Sequence, residues 1–167
     1  NQTMKKIIME TILEPKIGLE KKELSQSIKD LTVVLSNEMV LYVKSRKFHW
    51  NVTGNSFMEL HKLFENQYSK LEKTIDEVAE RISKLGGKTI GTMKEFIENS
   101  ILKEESKYVN QNQMLEELLD DHEKIIIQLR EFIEKAEDAH DAGTADFLTG
   151  VLQDHESKSW ILRKYLS

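Results

Sequence analysis

Residues 57–87 read FMELHKLFENQYSKLEKTIDEVAERISKLGG and contain the clearest helical pattern in the chain. Apolar side chains recur there every three or four positions, which is the spacing of one face of an α-helix. These side chains are Phe57, Leu60, Phe64, Leu71, Ile75, Val78, Ile82 and Leu85. Ser56 precedes the pattern as a candidate N-cap, and Gly86-Gly87 follow it where a helix C-cap is expected. The stretch therefore predicts one long helix with a defined start and end.

Three further stretches have the same periodicity. They run from about Leu24 to Trp50, from about Met114 to Ala136 and from about Thr144 to Leu166. A turn is predicted between the last two of them, at Asp141-Ala142-Gly143. The sequence therefore predicts four long helices.

The second and third long helices are separated by about 25 residues, with one short amphipathic piece at Met93 to Glu98. A connection of that length can carry the chain back along the bundle, so that the third helix starts at the far end. Four helices with one long crossover predict an all-α, ferritin-like four-helix bundle with a short extra helix between helices 2 and 3. We assign residues 23–167 to this bundle and residues 1–22, which hold the only proline, to an N-terminal tail.

The composition excludes several classes of protein. The chain has 167 residues, which suits one domain, and it contains no cysteine, so a disulfide framework, a thiolate metal site and a cysteine nucleophile are excluded. No apolar run approaches the roughly 20 residues of a membrane helix. Glu10 and Glu14 interrupt the apolar start of the chain, so no secretory signal is predicted. We expect a cytoplasmic protein, without membrane association, whose metal sites use histidines and carboxylates.

The five histidines do not form the ordinary di-iron pattern of a ferritin-like bundle. That pattern needs two Glu-x-x-His pairs that face inward from different helices. The chain offers one such pair, Glu137 with His140, beside the predicted turn. An intrasubunit di-iron centre is therefore not predicted, and His122 and His155 are interpreted as structural or surface residues.

The second helix offers a better candidate for a metal site than the Glu137–His140 pair. His61 and Glu65 lie four residues apart, as do Asp76 and Glu80, so each pair lies on one helix face. His49 lies at the end of the first helix. Imidazoles with carboxylates suit Fe(II), although the same set also binds Zn(II).

The spacing limits how these residues can be used. His61 and Asp76 are 15 residues apart on one helix, which separates them by roughly 22 Å. Metal–ligand bonds are roughly 2 Å long, so one chain cannot use both residues on one ion. Either these are two unrelated features, or the site is shared between two chains of a symmetric dimer. A two-fold axis across the second helix would bring His61 of one subunit to Asp76 of the other and would create two such sites.

At these positions the sequence resembles the Dps family, the mini-ferritins named as DNA-binding proteins from starved cells. The matching residues are His49-Trp50-Asn51-Val52-Thr53-Gly54, then Phe57, Leu60-His61 and Asp76-Glu77-Val78-Ala79-Glu80-Arg81-Ile82. The spacings from His49 to His61, on to Asp76 and on to Glu80 all fit the family pattern. The resemblance covers roughly residues 24 to 167, including the short helix in the long connection.

The resemblance implies an intersubunit ferroxidase centre, formed by His49 and His61 of one subunit with Asp76 and Glu80 of its neighbour. Twelve subunits would enclose a hollow shell in which Fe(II) is oxidised and stored as ferric mineral. The family preferentially uses hydrogen peroxide as the oxidant, and oxygen is the alternative. Trp50 would be a nearby electron donor. The family usually has Asp four residues after the second histidine, where this chain has Glu65, whose longer side chain we expect to reach a second iron.

The resemblance also implies acidic pores for iron entry, lined in part by the last helix. The acids in that stretch are Asp146, Asp154 and Glu156. A negative potential in a narrow channel would concentrate Fe(II). The alternative interpretation is that these acids lie on an ordinary solvent-exposed helix face.

DNA binding is the main competing function. Family members that bind DNA commonly use a lysine-rich tail, whereas residues 1–22 carry five lysines against three glutamates. The chain has a net charge of −5, and twelve such chains would repel phosphate. We therefore favour iron oxidation and storage, with a nucleoid-compacting DNA-binding protein of weak or vestigial ferroxidase activity as the alternative.

Overall fold

The computed structural model describes residues 13–167 and is all-helical over that range. The helices are α1 (Lys21–Asn51), α2 (Phe57–Lys84), α3 (Met93–Asn99), α4 (Gln111–Asp138) and α5 (Ala142–Leu166). Four long helices, with the short α3 in the connection between α2 and α4, confirm the predicted ferritin-like bundle. Residues 1–12, and with them most of the predicted tail, lie outside the described residues.

The bundle consists of two helical hairpins. α1 packs mainly against α2, α4 packs mainly against α5, and α1 also contacts α4. The long helices supply the almost completely buried side chains of the core, which include Leu31, Leu41, Phe64, Leu71, Leu118, Ile125, Leu148 and Leu162. Burial of each such side chain contributes roughly 1.5–3 kcal/mol. Most of each predicted stripe therefore faces the core, although Phe57 at the start of α2 is exposed.

The end of α2 requires glycine. Gly86 has a φ of +87°, its N–H donates to the Ser83 carbonyl, and the Gly87 N–H donates to the Ile82 carbonyl. This pair of bonds is the Schellman arrangement that ends many helices. A Cβ at Gly86 would also lie 2.7 Å from Cδ of Pro15. Both the backbone conformation and the lack of space therefore disfavour any other residue here.

The turn between α4 and α5 lies slightly earlier than predicted. His140 adopts a φ of +59° and repeats the same Schellman arrangement, with the Asp141 N–H donating to the Ala136 carbonyl. The Asp141 side chain then accepts a hydrogen bond from the Thr144 N–H and caps α5. Because histidine tolerates the left-handed region better than most residues, it replaces the expected glycine, and Gly143 already belongs to α5.

The long crossover runs along α1. Asn37 Oδ1 accepts hydrogen bonds from Ser100 Oγ and the Ile101 N–H, and Lys47 Nζ donates to the carbonyl oxygens of Glu105 and Lys107. These contacts fix the chain between α3 and α4 against the bundle. Across residues 13–167, no helix combines the length and apolar character needed to cross a membrane.

A buried lysine joins α1 to the first half of α4. Lys44 Nζ lies 2.7 Å from Asp121 Oδ2 and 3.9 Å from Glu117 Oε1. Burial raises the pKa of Glu117 to about 7, and a hydrogen bond with the Glu105 carboxyl adds to this rise. Glu117 therefore takes up a proton near neutral pH.

The Glu117 carboxyl predicts a pH dependence of stability. Its pKa is higher in the folded protein than the ordinary 4.5, so the folded state binds the proton more tightly than the unfolded state. The resulting stabilisation is complete below about pH 4.5 and is lost as the pH rises through about 7. In Glu117→Gln we expect the thermal unfolding midpoint to fall less over this range than in the wild type. Glu116→Gln, an exposed neighbour, is the matched control and should keep the wild-type slope; equal slopes in all three proteins would contradict the assignment.

Candidate metal centre

Two of the predicted ligands, His49 and His61, are brought together across the loop between α1 and α2. His49 lies in the last turn of α1, and His61 lies in the second turn of α2. Their rings are stacked, with centroids 3.8 Å apart and planes 14° apart. His49 Nδ1 lies 2.6 Å from the His61 carbonyl oxygen, and His61 Nδ1 lies 2.8 Å from the His49 carbonyl oxygen.

This reciprocal hydrogen bonding decides what the rings can bind. A carbonyl oxygen only accepts, so each Nδ1 carries a proton and donates it. In the neutral rings, both Nε2 atoms therefore keep a lone pair that a metal ion can use. Hydrogen bonds of this kind also fix the orientation of a ligating imidazole. The structure thus holds two preorganised nitrogen ligands side by side.

Asp76 and Glu80 lie far along α2 from the histidine pair, whereas Glu65 lies one helical turn after His61. Glu65, Asp76 and Glu80 are all exposed on α2. Because α2 is unbroken from Phe57 to Lys84, the separation of roughly 22 Å between His61 and Asp76 holds. No three histidine or acidic side chains in residues 13–167 are grouped so that they could hold a metal ion. Within one chain, the histidine pair is therefore separated from Asp76 and Glu80.

Aromatic side chains surround the histidine pair. Phe57 stacks on His61 with the ring centroids 5.2 Å apart. Tyr68 of α2 meets the His49 ring edge-on, with a centroid distance of 5.2 Å. Trp50, the predicted electron donor, follows His49 in α1, and 64% of its surface is exposed.

Arg46 lies over the rings of three aromatic side chains near the histidine pair. The centre of its guanidinium group lies 4.4 Å from the Tyr68 ring, 5.4 Å from the Trp50 ring and 5.5 Å from the Tyr42 ring. Its Nη1 also donates a hydrogen bond of 2.8 Å to Tyr42 Oη. The sequence pattern alone does not distinguish Arg46 or Tyr68 from other residues of α1 and α2. The available signal is the i, i+4 spacing of Tyr42, Arg46 and Trp50 on one face of α1.

Two of the three acids predicted for a pore take part in ion pairs within the chain. Asp154 lies 3.7 Å from Lys70 Nζ of α2, and Glu156 lies 2.9 Å from an Arg130 guanidinium nitrogen of α4. Asp146 is exposed near the start of α5. These contacts reduce the negative charge that the helix presents, and the pore remains a prediction.

His122 and His155 lie in the middle of the bundle, away from the surface. Their Nδ1 atoms are 2.8 Å apart, and His155 Nε2 lies 2.5 Å from Oε1 of the fully buried Glu38. Burial, followed by the neighbouring charges of His155 and Lys158, keeps the pKa of His122 well below its ordinary value. The three side chains connect α1, α4 and α5, which supports a structural role for both histidines.

Comparisons with known proteins agree with this architecture. Residues 28–167 match the ferritin family's ferritin-like domain. DNA protection during starvation protein 2 of Bacillus anthracis is 36% identical over 142 residues, which are 85% of this chain and 97% of that protein.

Two solved structures extend the comparison to the fold. Dps from Thermosynechococcus elongatus is 33% identical with a TM-score of 0.85, over 87% of this chain and 93% of that one. The Dps protein of Vibrio cholerae O1, described as a member of a broad superfamily of ferritin-like diiron-carboxylate proteins, is 29% identical with a TM-score of 0.88, over 92% and 96%. The chain therefore belongs to the ferritin-like domain family and, within it, to the Dps mini-ferritins.

Proposed function

We propose that this chain is the subunit of an iron-detoxifying ferroxidase that stores ferric mineral in a hollow dodecameric shell and protects the cytoplasm against oxidative stress. The observation that carries the proposal is the His49–His61 pair. Each Nδ1 atom donates a hydrogen bond to a carbonyl oxygen, so both Nε2 atoms can bind metal. Iron is the substrate of the site, and the ferritin-like relationship supports iron as the metal.

The proposed site needs a second copy of the chain. A two-fold axis across α2 brings the His49–His61 pair of one copy to Asp76 and Glu80 of the partner subunit. Large apolar side chains are exposed around the histidines and on α3, and their exposure supports burial of this surface against a second copy of the chain. These side chains are Val43, Trp50, Phe57, Met58, Met93 and Ile97.

The shared donor set suits ferrous iron. Two neutral imidazoles and two carboxylates combine nitrogen and oxygen ligands and balance the charge of one Fe(II). Glu65, four residues after His61, supplies a further carboxylate for a second iron. Two ferrous ions give one hydrogen peroxide molecule two electrons, and two protons complete its reduction to two water molecules. Zn(II) uses the same donors but has no redox chemistry, so it acts as a competitor.

We also propose that Asp146, Asp154 and Glu156 draw Fe(II) toward the interior. Carboxylates around a narrow opening raise the local concentration of cations. Lys70 and Arg130 neutralise two of these acids in part, so Asp146 carries the largest share of the attraction.

Single substitutions test the ligand assignment. In His61→Ala and in Asp76→Ala we expect the rate of ferric iron formation from Fe(II) and hydrogen peroxide to fall by more than about tenfold, because each removes a metal ligand. Glu77→Ala is the matched control, since it removes a neighbouring acid of α2. Size-exclusion chromatography of each variant checks assembly, and an assembled His61→Ala protein with the wild-type rate would contradict the assignment.

Mixed oligomers test whether the site is shared. His61→Ala and Asp76→Ala chains are co-expressed in equal amounts. A site is then intact only if its histidines come from the Asp76→Ala chain and its acids come from the His61→Ala chain. Random assembly makes about a quarter of all sites intact, so we expect about a quarter of the wild-type rate from two inactive parents. If both ligand sets act within one chain, the mixed oligomers will stay inactive.

DNA protection is the second candidate, favoured by the name of the Bacillus anthracis relative. The net charge of −5 per chain opposes direct binding to phosphate. We therefore expect no retardation of linear DNA in a gel at physiological salt, while DNA mixed with Fe(II) and peroxide is protected from cleavage. Retardation of DNA under those conditions would support the nucleoid-compacting alternative.

A further inference from the structure

We infer that Arg81 is a positioning residue of the shared iron site. It joins the last turns of α2 to the start of α5 and thereby fixes the part of α2 that carries Asp76 and Glu80. This role rests on the proposed ferroxidase function, and it belongs to a residue outside the proposed ligand set.

The contacts of Arg81 reach across to the first turn of α5. Its Nε and Nη2 atoms lie 3.3 Å and 3.1 Å from Thr144 Oγ1, and Nη2 lies 3.4 Å from Asp141 Oδ1. A guanidinium group only donates, so the hydroxyl and carboxylate oxygens are the acceptors. Thr144 and Asp141 are both buried. Arg81 therefore ends on groups that the fold holds in place.

Asp141 is itself held by two other helices. Its Oδ1 accepts the Thr144 N–H at 3.1 Å, which caps α5, and its Oδ2 accepts a hydrogen bond of 3.1 Å from Ser27 Oγ of α1. These two contacts do not involve Arg81. We therefore expect the turn between α4 and α5 to keep its structure when Arg81 is removed, while α2 loses its attachment to that turn.

Arg81 lies at the edge of α2 between the acids and the core. Successive residues of a helix project about 100° apart, so Arg81 lies between the exposed Glu80 and the buried Ile82. Asp76 shares the face of Glu80. A contact at this edge opposes rotation of α2 about its own axis. Such a rotation would turn both carboxylates away from the histidine pair of the partner subunit.

A second ion pair between α2 and α5 gives a weaker attachment. Lys70 lies 3.7 Å from Asp154, and 66% and 46% of these two side chains are exposed. Exposed pairs of this kind contribute little to stability. In the pair of Arg81 with Asp141 the corresponding values are 21% and 4%. The placement of α2 against α5 therefore depends more on Arg81 than on Lys70.

Gly143 leaves the space that the Arg81 side chain occupies. A Cβ at this position would lie 2.6 Å from Arg81 Nη2, although Gly143 belongs to α5. Glycine is less favourable than alanine inside a helix. A glycine at this position therefore favours the contact of Arg81 with the start of α5 at the expense of helix stability.

Gly143→Ala separates the placement of Arg81 from the stability of the fold. The new methyl group displaces the flexible guanidinium group from Thr144 and Asp141, while alanine favours the helix. We expect a thermal unfolding midpoint at or above that of the wild type. At a fixed, saturating concentration of hydrogen peroxide, we expect the KM for Fe(II) in ferric iron formation to rise by more than about twofold.

Arg81→Ala removes the contact outright. We expect its KM for Fe(II) to rise by more than about threefold, with a smaller change in kcat, because misplaced carboxylates weaken iron binding. Lys84→Ala is the matched control, since it removes an exposed positive charge from the last turn of α2 and should keep the wild-type KM. An assembled Arg81→Ala protein with the wild-type KM, whatever its kcat, would overturn the inference.

Mixed oligomers show which subunit needs Arg81. In co-expressed His61→Ala and Asp76→Ala chains, the intact sites take their acids from the His61→Ala chain. We expect Arg81→Ala to raise the KM when it is added to that chain, and to leave the KM of the mixed oligomers unchanged when it is added to the Asp76→Ala chain. An equal KM in the two arrangements would overturn the inference alone, whereas a wild type that forms no ferric iron defeats the proposed function itself.

Discussion

The rigid length of α2 is the constraint on which the proposed chemistry depends. The helix is continuous from Phe57 to Lys84, so His61 near its start and Asp76 in its second half stay roughly 22 Å apart. No side-chain movement brings them to one ion. The same rigidity prevents a site within one chain, so the proposed site needs a symmetric pair of copies. The exposed apolar side chains near Trp50 and on α3 support such packing.

The reciprocal hydrogen bonding of His49 and His61 joins the proposed site to the fold. Each imidazole donates to the backbone carbonyl of the other, so the end of α1 and the start of α2 are joined by the same groups that would bind iron. A metal ion then meets ligands that are already ordered. This order reduces the entropy lost on binding, because flexible side chains would first have to be fixed in place. The stacked Phe57 ring and the edge-on Tyr68 ring hold the pair from either side.

The sequence predicted the long helices because their apolar periodicity is strong, and it predicted the histidines and acids because their positions resemble the Dps pattern. It did not predict the environment of those residues. In the sequence, Arg46 is an ordinary charged residue and Tyr68 is an ordinary core aromatic residue. Only the packing of α1 on α2 shows that Tyr68 contacts His49 and that Arg46 lies over Tyr68. Similarly, Glu38 gives no local sign that it pairs with His155 in the bundle centre, since that contact joins residues far apart in the chain. The turn at His140 was misplaced because glycine is the usual residue for a positive φ.

The central claim is that two chains supply one iron site. Its most direct test is anomalous diffraction at the iron absorption edge from crystals of this protein soaked anaerobically with Fe(II). The account predicts an iron peak about 2 Å from Nε2 of His49 and of His61, with the carboxylates of Asp76 and Glu80 of the partner subunit completing the ligands. Iron bound by residues of one chain alone, or no iron at the histidine pair, would contradict it.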